Sequence, residues 1–220
     1  MKISFFCFIL QLICFVNVQS QFLEPKSVKN LAVGNTQISF PEDFGFKASY
    51  HIPKVKEVFD KTNYNSIEII EVYLTESCHN KSLANDSSII ENDYIKVYNN
   101  SRFNSQVLDT TYLRLFCNKM AAMDTSYFRK GADYFKAKLS NIYSLSSKLL
   151  FVDNEDRVHK TLYYEVFMNE VSSIMILNLW LVKGKLIYIA YFPKVTNEER
   201  FESIVDRNKQ LMHVFKGVKQ

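Results

Sequence analysis

The stretch Thr75–Ser82, TESCHNKS, sets a cysteine directly beside a histidine, with Glu76 two residues before the cysteine. Such residues can make a thiol nucleophile with its base, a metal site, one end of a disulfide, or only a polar loop. A catalytic cysteine needs a base within reach and a stabilised oxyanion. Adjacent residues serve each other poorly here, because along a strand they point to opposite faces. The base would have to be His51, His159 or His213, brought close by folding. Zinc could draw on Glu76, Cys78, His79 and Cys117, but the C-x(2–4)-C and H-x(3–5)-H spacings of structural zinc sites are missing. The acidic turn Asp153-Asn154-Glu155-Asp156 offers oxygens to calcium but lacks the spacing and glycine of an EF-hand loop, so it reads as a solvated turn. No catalytic residue, metal or cofactor is assigned.

The disulfide reading follows from where the chain goes. Lys2 precedes an apolar run, Ile3 to Val16, broken only by Ser4 and Gln11. Val18 and Ser20 are small residues placed for a cut before Gln21. This is the pattern of a cleaved secretory leader. It predicts a secreted or periplasmic protein, with no later run long enough for a membrane helix. Cys7 and Cys14 leave with the leader, and Cys78 and Cys117 remain. Two cysteines in an oxidising compartment are expected to pair. The bond would close a loop worth about 4 kcal/mol in a chain-entropy picture.

Once Lys2 is removed, 26 basic and 23 acidic residues leave a net charge of +3. That is too mild for a nucleic-acid partner, which asks for a basic patch. Thirteen tyrosines and eighteen phenylalanines, against five glycines and four prolines, describe an ordered globule. The chain divides into a leader at 1–20, a loose segment at 21–30 and one domain at 31–220. Asn80, Asn85 and Asn99 each begin an N-x-S triplet, a glycan acceptor in a eukaryotic secretory pathway and inert in a bacterium.

The elements follow from periodicity. Gly34-Asn35 marks a turn, and Pro53 opens a short helix at 53–60. Residues 66–77 read as a strand in which Ile67 and Ile69 alternate, then Val72 and Leu74 after a shift. Composition makes 78–93 a loop. Residues 93–99 and 110–117 read as strands. Phe128, Ala132, Phe135, Leu139 and Ile142 form one stripe of a helix at 125–145. Strands follow at 147–152, 160–168, 172–182 and 185–192. Lys183-Gly184 makes the last pair a tight hairpin, with Val182 opposite Lys185 and Trp180 opposite Ile187. Both of those strands are apolar on nearly every residue and must be covered on both faces. A capping box, Thr196-x-x-Glu199, starts a closing helix with Phe201, Ile204, Val205, Met212 and Phe215 on its apolar side.

The expected fold is α+β, an antiparallel sheet flanked by helices in an α/β/α sandwich. The order of the segments 125–145, 160–192 with its KLIYIAYF strand, and 196–216 resembles the Mog1/PsbP-like fold over about half the chain. That resemblance implies an accessory or binding role without catalysis, and it carries over no functional residue. G-x-S-x-G, H-E-x-x-H, P-loop and Rossmann patterns are missing. The favoured reading is an exported non-enzymatic protein that binds an unknown protein or small molecule. Two alternatives stand beside it. One is an exported hydrolase with a site gathered from His51, His159 and the Cys78–His79 segment. The other is a carrier with an aromatic ligand pocket of Trp180, Tyr188 and Tyr191.

Overall fold

The computed structural model describes residues 24–61, 63, 66–84, 93–122, 145–154, 156–169, 171–195 and 199–220. The leader at 1–20 and the helix expected at 125–145 fall outside the described residues, apart from Leu145, which begins a strand. Nine strands and four α-helices are described: β1 (Val28–Val33), β2 (Thr36–Pro41), β3 (Phe46–Ala48), α1 (Pro53–Lys61), β4 (Ile67–Thr75), α2 (Glu76–Leu83), β5 (Tyr94–Asn100), α3 (Thr110–Ala122), β6 (Leu145–Asp153), β7 (His159–Met168), β8 (Val171–Val182), β9 (Lys185–Phe192) and α4 (Phe201–Gly217). The fold is α+β. Seven strands form one antiparallel sheet in the order β3-β4-β5-β9-β8-β7-β6, and β1 and β2 form a separate hairpin.

β9 lies at the middle of the sheet, and its alternation defines the two faces. Ile187, Ile189 and Tyr191 belong to a cluster with Ile204, Leu211, Met212 and Phe215 of α4 and with Val33, Ile38 and Phe40 of the hairpin. Leu186, Tyr188 and Ala190 point the other way, into a cluster with Leu113 and Cys117 of α3. α1 and α2 extend that second layer over β4, packing Val55, Phe59 and Cys78 on Ile69, Val72 and Leu74. Tyr94 joins these two clusters, stacked on Phe192 at 4.5 Å and edge-on to Phe59 at 5.5 Å. Helices therefore cover both faces of the apolar strands. The β8–β9 turn takes positive φ at both Lys183 (48°) and Gly184 (73°), as a two-residue hairpin turn requires. Its register pairs Val182 with Lys185 and Trp180 with Ile187.

Some elements differ from the expectation. Residues 110–117 are helical, not extended. Asp109 accepts a hydrogen bond from the Tyr112 N–H at 2.7 Å and so caps α3. Leu113 and Cys117, four apart, are buried, while Leu115 is exposed. The β-prone composition of TTYLRLFC hid that spacing. The polar stretch after β4 is not all loop, since Glu76–Leu83 forms α2, capped by the Thr75 hydroxyl on the Cys78 N–H. The expected capping box does not start α4. That helix begins at Phe201, Arg200 makes no side-chain cap, and Glu199 instead pairs with Arg207 at 2.8 Å. Thr196 lies outside the described residues. Residues 28–30 of the presumed loose segment belong to β1.

The shift between Ile69 and Val72 is a bulge in β4. It turns Glu71 toward the hairpin face, where it is almost wholly buried. Its Oε1 accepts from the N–H groups of Tyr50 (2.8 Å) and Val72 (3.0 Å), and its Oε2 meets the Lys29 ammonium at 3.5 Å. One carboxylate thus ties β1, the bulge and the chain leading into α1. Glu71→Ala would leave two N–H groups and a cation without their partner. It is expected to cost about 3 kcal/mol in urea unfolding. A loss below about 1 kcal/mol would remove Glu71 from this role.

Candidate functional site

The structure brings two of the four histidines together. His51 is exposed just before α1, and His79 sits in α2 with ring centroids 6.4 Å apart. Beside them, Ser49 Oγ lies 2.8 Å from His79 Nδ1. A serine and a histidine at this distance could be a nucleophile and its base. The hydrogen bonding assigns them otherwise. The Ser49 hydroxyl has one proton, which it donates to the Lys47 carbonyl at 2.7 Å. The short contact to His79 is therefore the ring Nδ1–H donating to Ser49 Oγ. Ser49 is 0% exposed, so no substrate carbonyl can reach it. Burial, then the charge of Lys47 and the neighbouring His51, hold His79 below the usual histidine range. A neutral ring holding a buried hydroxyl latches α2 onto the chain after β3.

The Cys78–His79 pair splits at once. Cys78 turns into the apolar layer under α1 and α2, while His79 turns toward Ser49. Glu76 stays exposed and pairs with Lys47 at 3.1 Å. Cys117 sits in α3 toward the other end of the same sheet face, its Sγ 3.8 Å from Asn154 Oδ1, and burial raises its thiol pKa. Cys78 and Cys117 are both buried. Cys78 packs on β4, and Cys117 packs beside Tyr164 of β7. In the strand order those strands lie four positions apart, about 19 Å at the usual spacing. The same separation breaks up the zinc set of Glu76, Cys78, His79 and Cys117. Among the described residues no group of three metal-ligating side chains forms. In the acidic turn, Asp156 is held by Lys216 at 2.8 Å and by the Val158 N–H at 2.9 Å. Glu155 lies outside the described residues.

The aromatic pocket does not form either. Tyr188 and Tyr191 are three residues apart on one strand and so face opposite sides. Tyr191 packs with Trp180 on the α4 face, and Tyr188 packs with α3, stacked on Tyr98 at 5.1 Å. All three are buried in the core. Of the glycan triplets, Asn80 is exposed on α2, whereas Asn99 is buried in β5 and closed to a glycan in the folded state. Asn85 lies outside the described residues.

His159 is far from His51 and His79, and His213 is exposed on α4. His159 Nε2 lies 3.0 Å from both Asn178 Oδ1 and Thr161 Oγ1. These lead into a buried polar group that sequence reasoning overlooked. Asn178 of β8 and Asn208 of α4 exchange two amide hydrogen bonds, each 2.9 Å. Thr161 donates to Asn178 Oδ1 at 2.9 Å, Asn178 donates to the Ile189 carbonyl at 3.3 Å, and Asn208 donates to the Tyr163 hydroxyl at 3.4 Å. The signal was present in the sequence. Asn178 interrupts the run IMILNLWLV, and Asn208 falls in the apolar stripe of α4.

No known protein family, curated protein or solved structure matches this chain.

Burial, with Lys216 adding to it, lowers the His159 pKa to about 4, against the opposing pull of Asn178, Asp156 and Asp153. The unfolded chain takes up this proton near the ordinary value of about 6.5, so the folded state binds fewer protons between the two values. Stability is complete above pH 6.5 and falls as pH drops through that window, by about 2 kcal/mol at pH 4.5. Urea midpoints at pH 7 and 4.5 should show this loss in the wild type and most of it missing in His159→Gln. Equal losses in both proteins would contradict the role given to His159.

Proposed function

We propose that this chain is an exported, non-enzymatic binding or accessory protein whose leader is cut after Ser20. The observation that carries the non-catalytic part is the Ser49 hydroxyl, buried and donating to the Lys47 carbonyl while His79 donates to it. Among the described residues, the arrangement that looks like a nucleophile and base is thereby a latch. His159 supports the same reading, since its Nε2 is engaged by Asn178 and Thr161. The leader pattern of residues 1–20 supports export. The resemblance of element order to the Mog1/PsbP-like fold, in which accessory and binding roles recur, points in the same direction. The partner is an unknown protein or small molecule, and no helix among the described residues is long and apolar enough to cross a membrane.

The full chain should be expressed in a secreting host, and the exported product taken for intact mass and for labelling with a fluorophosphonate probe. The expected product starts at Gln21, is not labelled, and hydrolyses nitrophenyl esters no faster than Ser49→Ala or His79→Ala. Labelling or turnover lost in both variants would establish the hydrolase reading. Retention of residues 1–20 on the product would refute the cut.

A further inference from the structure

Where the first turn of α3 meets β7 lies a cavity of about 340 Å³, lined by Thr110, Thr111, Arg114, Arg157 and Lys160. Among the described residues, every ionisable group in that lining is a cation. Arg114 follows Thr110 and Thr111 by four and three residues, so all three share one side of α3. Arg157 comes from the turn before β7. Lys160 lies within β7 and is only 9% exposed.

Among the described residues, no carboxylate lies within ion-pair distance of Arg114, Arg157 or Lys160. Asp156, next to Arg157, is held by Lys216 and the Val158 N–H. Asp109, next to Thr110, caps α3 through the Tyr112 N–H. The Lys160 ammonium donates to one neutral partner, the Asn154 carbonyl, at 2.7 Å. Lys185 shows what a purely structural buried lysine looks like in this protein, clamped by the carbonyls of both Asn104 (2.6 Å) and Gln106 (2.9 Å). A buried ammonium with two guanidinium groups around one concavity is self-repelling until an anion enters. Guanidinium forks match the paired oxygens of a tetrahedral oxyanion, and the threonine hydroxyls can donate to the others.

We propose that this cavity binds a phosphate or sulfate group carried on a small organic molecule. The volume exceeds that needed by a bare oxyanion and lies at the low end for small-molecule sites. Among the described residues the lining contains no aromatic ring, so recognition rests on the charged head. This deepens the binding role proposed above by naming its ligand class, and it holds whether or not the exported chain also turns over an ester.

The test is calorimetric titration of the exported protein at low salt with phenyl phosphate and, separately, phenyl sulfate. Arg114→Ala, Arg157→Ala and the double variant are titrated beside the wild type, with Lys54→Ala as a control. Both arginines are exposed, so the variants should keep the wild-type urea midpoint. The expected result is binding of at least one probe, weakened about tenfold by each arginine variant, lost in the double variant and unchanged in the control. Tighter binding of the phosphate assigns a phosphate ester, and equal or tighter binding of the sulfate assigns a sulfate ester. Failure of both probes to bind below about 10 mM would overturn the proposal, as would binding that survives the double variant within about threefold. Neither failure would bear on the Ser49–His79 latch or the leader cut.

Discussion

Two asparagine side chains, one from the sheet and one from the closing helix, hold the centre of this protein. Asn178 is 0% exposed and Asn208 is 1% exposed, and each amide satisfies the other in both directions. A buried amide left without partners costs about 1–3 kcal/mol. That cost makes the pair a specifier of geometry. A one-residue slip of β8 would carry Asn178 to the α3 face, away from Asn208. A rotation of α4 by one residue would do the same to Asn208. Strand register and helix orientation are thus fixed together. Thr161 and His159 extend the restraint to β7, and the Tyr163 hydroxyl reaches the same amide group.

With that centre set, the remaining parts have definite places. α4 and the β1–β2 hairpin cover one face, and Glu71 anchors the hairpin from the bulge in β4. The other face carries α1, α2 and α3. His79 and His159 both hold buried hydroxyl or amide groups, and burial lowers the pKa of each. The cationic groups of the cavity lie elsewhere, on the α3 side, where β7 presents Lys160 opposite to Thr161 and beneath Arg114. The same alternation along β7 thus separates a neutral structural network on one face from a cationic cavity on the other.

Much of the sheet could be read directly from the sequence. The Lys183-Gly184 turn, the register of β8 on β9, and the need for cover on both faces followed from local pattern alone. The bulge was visible as the break between Ile69 and Val72. Where reading failed, local composition and tertiary context disagreed. TTYLRLFC is rich in β-formers, yet Asp109 caps it and Leu113 and Cys117 are buried four apart, so it is a helix. The Trp180, Tyr188 and Tyr191 pocket ignored the parity of positions on β9. The cationic cavity could not be foreseen, because Arg114, Arg157 and Lys160 come from separate elements. The two asparagines could have been found, since a polar residue inside an apolar run must be bonded to something.

A double-mutant cycle on Asn178 and Asn208 tests the central restraint most directly. Asn178→Leu and Asn208→Leu are each expected to lose about 2 kcal/mol or more in urea unfolding, because each strands its partner. The double variant should lose clearly less than the sum, with a coupling of at least about 1 kcal/mol. Additive losses would mean that the two amides do not hold the helix to the sheet, and the register argument built on them would fail.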